Sequence, residues 1–300
     1  MAQNSSGHPR NGQDDAFPPR RLGKFGVGSQ YRAVHLIPSR NEAYYRVGPA
    51  ITSSFMRQCT THAPTRARWC SSMWLTAQLD ACRRAFEAGA EPELVATVHA
   101  AIRHLSESHI TGKAVKAGDR APPFRLRDEP GGVVLLADLL ARGPVVLSFF
   151  RGEWCSYCAL ELAALAEATP DIERLGATVL ALSPHISERA SPCGRDEGRP
   201  FPMLKDRGGG IARQYRIAFT VPRQFRAAYL AIGFPKPVKS LPTTWRLPIP
   251  ATYVVDNAGR VVLSYLDADH TTRLEPAEII RALTGLRMSG GSGIPERNNG

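Results

Sequence analysis

Apolar positions change their rhythm along the 300 residues, and each rhythm predicts a different element. Residues 1–72 keep no period and carry Gly, Pro, Ser, Asn and Arg in runs such as Phe17-Pro18-Pro19-Arg20-Arg21, so they are expected to be a disordered basic tail. Leu75, Leu79, Cys82 and Phe86 then fall at i, i+4, i+7 and i+11, the stripe of one helix ending near Gly89. Pro92 suits the first turn of a second helix, whose Leu94, Val98, Ile102 and Leu105 keep helical spacing to about His109. These two predict a helical hairpin over residues 73–112, with 113–120 linking it to the remainder of the chain.

From Ala121 the rhythm becomes that of short strands between helices. Residues 124–126 and 133–136 read as strands, a short helix lies around Leu139, and Val145-Val146-Leu147-Ser148-Phe149-Phe150 is a buried strand. A helix follows through Leu160, Leu162 and Leu165, and Pro170 should bend or end it before Gly176. Residues 177–183 form a central strand, 201–204 a short strand and 211–215 a short helix. The proline-rich stretch 219–249, with a possible helix at 223–232, reads as a surface insertion. An antiparallel hairpin, 251–256 and 260–265 around Asn257-Ala258-Gly259, and a helix at 276–286 complete an α/β domain over 113–288. Residues 289–300 are polar, Gly-rich and expected to be disordered.

Charge changes this picture little. The tail holds ten Lys/Arg against three acids, so +7 of the chain's +11 lies there. No aromatic-interleaved basic motif or zinc-finger spacing accompanies it, and no nucleic-acid partner is expected. The acid-poor, Arg-rich start has the composition of a transit segment, but its Gly and Pro interrupt the helix such segments use. A natural start at Met56 or Met73 explains it more simply. No window is apolar enough to span a membrane, and Cys59, Cys70, Cys82, Cys155, Cys158 and Cys193 are too few for a disulfide scaffold. A cytoplasmic, reducing location is expected.

The chemistry lies where the buried strand turns into a helix, at Trp154-Cys155-Ser156-Tyr157-Cys158. Residues three apart on a first helical turn are near neighbours, within reach of a disulfide. A helix N-terminus favours thiolate over thiol. Cys155 and Cys158 are therefore the candidate redox pair. A zinc site would need two more ligands, His185 and Cys193 being the convenient ones, and no metal or cofactor is expected. Cys193 is read as an unpaired loop cysteine and Cys82 as a core residue. Glu153 and Glu161 are read as exposed helix-face carboxylates.

Four stretches in this order carry a resemblance: Val115-Lys-Ala-Gly-Asp-Arg-Ala-Pro-Pro-Phe124, Phe149-Phe-Arg-Gly-Glu-Trp-Cys-Ser-Tyr-Cys158, Phe201-Pro-Met-Leu-Lys-Asp206 and Pro250-Ala-Thr-Tyr-Val-Val-Asp-Asn-Ala-Gly259. Over roughly residues 73–286 the chain resembles peroxiredoxin-like members of the alkyl hydroperoxide reductase/thiol-specific antioxidant family. The resemblance implies a thioredoxin-like fold, a central mixed β-sheet flanked by helices, here preceded by the helical hairpin. It also implies peroxide reduction through a Cys155/Cys158 thiol-disulfide cycle with thioredoxin or a similar thiol as reductant.

Aligning the family's Thr-x-x-Cys places the peroxidatic cysteine on Cys158 and puts Cys155 where the threonine would stand. The family's arginine falls on Pro250, which matches the cis-proline of thioredoxins. Arg151 is the candidate replacement cation, and Trp154 and Thr252 are further supporting residues. The thioredoxin-type alternative makes Cys155 the nucleophile toward a substrate disulfide, with Cys158 resolving. A non-catalytic redox-sensing module is the third reading.

Overall fold

Two amphipathic stripes open the part of the chain that the computed structural model describes, residues 74–127, 132–186, 200–235 and 245–290. The expected tail at 1–72, residues 291–300 of the expected tail at 289–300, and Cys59, Cys70 and Cys193 lie outside these residues, while residues 289–290 are helical. The first stripe forms α1 (Trp74–Gly89), which buries Leu75, Leu79 and Cys82. The second forms α2 (Pro92–Glu107), with Pro92 in its first turn and Val98 and Ala101 buried. The Glu275 carboxylate accepts hydrogen bonds from the Thr76 backbone N–H at 2.7 Å and the Thr76 hydroxyl at 2.8 Å, which places an anion at the positive end of α1. A one-turn helix, α3 (Ile110–Lys113), follows at the end of the expected hairpin and reaches only the first residue of the expected linker.

The strands follow the predicted order. β1 (Arg125–Arg127) pairs antiparallel with β2 (Val133–Leu135), and α4 (Leu136–Leu140) leads to β3 (Val145–Phe149), every residue of which is buried. Next come α5 (Ser156–Arg174), β4 (Thr178–Ser183), β5 (Met203–Lys205), α6 (Gly210–Gln214), β6 (Ala218–Thr220) and α7 (Arg226–Ala231). The described chain closes with β7 (Arg246–Pro248), β8 (Ala251–Val255), β9 (Val261–Leu266) and α8 (Pro276–Gly290).

The main sheet has the order β5-β4-β3-β8-β9; β3, β4 and β5 run parallel and β8 and β9 antiparallel to their neighbours. Alternation along β3 separates two cores. Val145, Leu147 and Phe149 pack on one face with Tyr215 and Tyr253, while Val146 and Phe150 join the other face with Ile172 of α5 and Ile279 of α8. Ser148 shares the second face, and the register sets it opposite Thr252 of β8. Two hydroxyls therefore stand side by side under α5.

Helix α5 passes through Pro170 and ends at Arg174, before Gly176. The proline removes one helical hydrogen bond, a cost of about 3 kcal/mol, and complete burial of Ile172 on the sheet returns a comparable amount. One expectation is corrected: the described residues of 219–249, 219–235 and 245–249, are not a surface insertion, since Val221, Tyr229, Phe234, Leu247 and Ile249 are buried and β6 and β7 pair with each other. Prolines suggested a loop, but the aromatic and branched residues between them pack against the cysteine pair's side of the sheet.

Candidate active site

Gly152 makes the approach to the cysteines possible. Its φ is +148°, and a Cβ there would lie 2.5 Å from Trp154 Nε1 and 2.8 Å from the His185 Cβ. The chain can then turn from β3 so that Cys155 becomes the N-cap of α5 and Cys158 lies in its first turn. Both are free thiols, Cys155 4% exposed and Cys158 0%.

Two arginines hold the sulfurs from different parts of the chain. Arg151, itself buried, places Nη1 3.9 Å from Cys155 Sγ, and its backbone N–H donates to Cys158 Sγ at 3.5 Å. Its guanidinium carbon lies 4.7 Å from the centre of the Trp154 ring and 5.1 Å from that of Tyr229. Arg151 Nε and Nη2 are buried with no hydrogen-bond partner among the described residues. The second arginine was not anticipated: Arg273, in the loop between β9 and α8, donates from Nη2 to Cys158 Sγ at 3.2 Å.

Arg273 is fixed on every side. Its Nε donates to Glu161 Oε2 at 2.5 Å, and its Nη1 donates to the carbonyls of His270 at 2.6 Å and Thr272 at 2.5 Å. The other Glu161 oxygen accepts from Ser148 and Thr252, each at 3.3 Å. Thr252, expected near the cysteines, thus acts on Glu161. Glu161 itself is not an exposed helix-face residue: its side chain is 2% exposed. Three residues after Cys158, it shares that residue's inward face, and an inward carboxylate requires a cation.

The electrostatics separate the two thiols. Burial alone would raise Cys155, but a hydrogen bond from Cys158 and the charges of Arg151 and Arg273 bring it from 9.0 to about 5. Burial pushes Cys158 well above 9.0, its hydrogen bond to Cys155 and the negative charge there push the same way, and the two arginines oppose without prevailing. The two shifts thus run in opposite directions, Cys155 down and Cys158 up. Burial also raises Glu161 despite the opposing charge of Arg273, and holds His270 well below 6.5.

Pro250, Arg151 and His270 line a cavity of about 10 Å³, closed by Ala101, Ile102 and Leu105 of α2. Such a space holds roughly one water-sized molecule. Trp154 packs edge-on against Phe234, which stacks on Trp245 with ring centres 4.6 Å apart. Trp154 thus lies between Phe234 and the Arg151 guanidinium. The Glu153 backbone N–H donates to the His185 carbonyl at 3.3 Å. Among the described residues no three His, Cys, Asp or Glu side chains form a group able to hold a metal ion.

A mixed sheet whose central strand delivers a cysteine pair to the start of the next helix defines a thioredoxin-like protein. Within that class, residues 117–264 match the model of the AhpC/TSA family. Among its relatives, the chloroplastic peroxiredoxin Q of Sedum lineare is 26% identical over 113 residues, 38% of this chain and 60% of that protein. The selenocysteine-containing peroxiredoxin PrxU of Peptoclostridium acidaminophilum is 31% identical over 113 residues, 34% of this chain and 55% of that protein. The match thus spans less than two thirds of either relative's length. Among solved structures, the peroxidoxin BcpB from Mycobacterium tuberculosis aligns with a TM-score of 0.43 and 20% identity, over 58% of this chain and 97% of that one.

Proposed function

We propose that this chain is a thiol-dependent peroxidase that works through a Cys155/Cys158 thiol-disulfide cycle. The observation that carries the reading is Arg151: its guanidinium lies beside the Cys155 sulfur, and two of its buried nitrogens have no partner among the described residues, a place a peroxide oxygen would take. Donors aimed at developing oxygen charge are worth orders of magnitude in rate. The peroxiredoxin relatives and the narrow cavity beside Arg151 support the same reading.

The Cys155 thiolate attacks the terminal peroxide oxygen; the O–O bond breaks, an alcohol or water leaves with one proton, and Cys155 becomes a sulfenic acid. Cys158 then attacks the Cys155 sulfur, water departs, and the disulfide is closed. An external dithiol, thioredoxin or a similar protein, returns the two electrons. The order differs from the alignment, which gives the first attack to Cys158; the charge distribution favours Cys155. Residues 1–72 as a tail, 73–112 as an extension of the domain that follows, and a cytoplasmic location belong to the same proposal. No described helix is long and apolar enough to cross a membrane.

A second reading, disulfide exchange with a protein substrate, is favoured by the same low-pKa Cys155 at the helix N-cap. Steady-state assays with thioredoxin, thioredoxin reductase and either hydrogen peroxide or a protein disulfide separate the two. Multiple turnovers on peroxide, lost in Cys155→Ser, support the peroxidase. Turnover on the disulfide alone supports the exchange enzyme, and a single oxidation without turnover overturns both.

A further inference from the structure

We propose that the cavity between α2, α3 and the β6–α7 segment is a specificity site, that it takes organic hydroperoxides whose aromatic body carries a carboxylate remote from the peroxide, and that Lys113 selects the carboxylate. The inference names the substrate class of the peroxidase proposed above and rests on that reading. Helices α2 and α3 precede residues 117–264, so the half of the cavity they supply lies outside the stretch that matches the family model.

Size divides the work between two adjoining spaces. The one beside Arg151, about 10 Å³, admits roughly one water-sized group. It can take the terminal oxygen of a hydroperoxide but not the body of an organic molecule. The neighbouring cavity is about 320 Å³, within the roughly 300–1,000 Å³ of small-molecule sites. Ala101, Leu105, Phe219 and Tyr229 line both. Tyr229 ties them together: its ring lines the large cavity, and the Arg151 guanidinium carbon lies 5.1 Å from the ring centre. Arg151 is buried, and two of its nitrogens have no partner among the described residues.

The lining specifies both the body and the charge. Phe219, Phe225 and Tyr229 contribute aromatic rings and Ile110 an aliphatic side chain, and the His104 ring packs tilted against Phe225 with centres 5.7 Å apart. Such walls favour a flat apolar body. Lys113, exposed at the end of α3, carries the permanent charge of the described lining, and no carboxylate shares that lining. An anionic group at the substrate's outer end is matched there, whereas a cationic one is repelled. The reaction keeps its balance: the Cys155 thiolate gives an electron pair to the terminal oxygen, the O–O bond breaks and the sulfenic acid forms. The aryl-bearing alkoxide takes one proton from water and departs as the alcohol.

The test compares three oxidants on the full chain, with thioredoxin and thioredoxin reductase: hydrogen peroxide, cumene hydroperoxide and para-carboxycumene hydroperoxide. The wild type should show a higher kcat/KM for the carboxylated aryl hydroperoxide than for the uncharged one. Lys113→Met should remove that advantage, a loss of about fivefold, the scale of an exposed ion pair, with the other two oxidants unaffected. Thr220→Trp fills the cavity from an exposed position of β6. It should lower kcat/KM for both aryl hydroperoxides by about tenfold or more and spare hydrogen peroxide. Independently of turnover, the alcohol derived from the carboxylated substrate should shift the Ile110 methyl NMR signals in the wild type and not in Thr220→Trp. If hydrogen peroxide is consumed but the wild type shows no preference for the carboxylate, or both substitutions affect all three oxidants alike, the inference is overturned and the peroxidase reading stands. If no hydroperoxide is consumed, the peroxidase reading falls; a shifted Ile110 signal then still supports the cavity as an aryl carboxylate site, and an unshifted one overturns that as well.

Discussion

Glu161 of α5 and Arg273 of the β9–α8 loop form an ion pair with both side chains 2% exposed, and Ser148 and Thr252 complete the carboxylate's hydrogen bonds from beneath. Breaking such a pair from one side strands a buried charge, at a cost of about 3–5 kcal/mol. Arg273→Met should lower unfolding stability by about that amount in urea titrations. Glu161→Gln/Arg273→Met should lose less than the two single variants summed, because contacting residues are not additive.

Cys155 should behave as a thiolate across the neutral range. Its rate of alkylation by iodoacetamide, followed by peptide mass spectrometry, should rise with a midpoint near pH 5 and be flat at pH 7. A group whose pKa is depressed on folding contributes stability that is present above its unfolded value and lost as pH falls toward the folded one. Stability of the reduced protein should therefore rise between pH 5 and pH 9, from this group, and the disulfide form should lack that rise. The raised Cys158 acts oppositely, reducing stability above pH 9.

Arg151→Met keeps an unbranched side chain among Trp154 and Tyr229 but removes the charge and the two unpartnered donors. Peroxide reaction should slow by roughly a hundredfold, the scale for losing a donor to developing oxygen charge. The alkylation midpoint of Cys155 should rise in the same variant. Stopped-flow peroxide consumption and the pH profile of alkylation check the two effects separately.

Gly152→Ala should be costly out of proportion to one methyl group. The added Cβ would meet Trp154 Nε1 at 2.5 Å and His185 Cβ at 2.8 Å, in a backbone conformation that side chains disfavour. A loss of about 1–3 kcal/mol is expected in denaturant unfolding, with Trp154 displaced from its edge-on contact with Phe234.

Much of the frame was legible because its signals are local. The stripe Leu75, Leu79, Cys82 predicted α1, the apolar run at 145–150 predicted β3, and Cys-x-x-Cys after it placed both sulfurs at a helix start. Arg273 was not legible, since its role depends on a fold that brings it 115 residues back to Cys158. Glu161 was misread as exposed although a signal existed: its three-residue spacing from Cys158 puts it on the buried face. The stretch 219–249 was misjudged because proline content was weighed above Phe225, Tyr229, Phe234 and Trp245, which enclose the Arg151 side of the site.

Whether the Cys155/Cys158 pair takes the oxygen of a peroxide can be decided in a single turnover. Reduced wild type, Cys155→Ser and Cys158→Ser are each given one equivalent of hydrogen peroxide, quenched with dimedone and mapped by mass spectrometry. A peroxidase of the proposed kind yields a Cys155–Cys158 disulfide in the wild type, a dimedone adduct on Cys155 in Cys158→Ser, and little reaction in Cys155→Ser. Peroxide loss unaffected by either substitution, or no oxidation of the pair in the wild type, would contradict it.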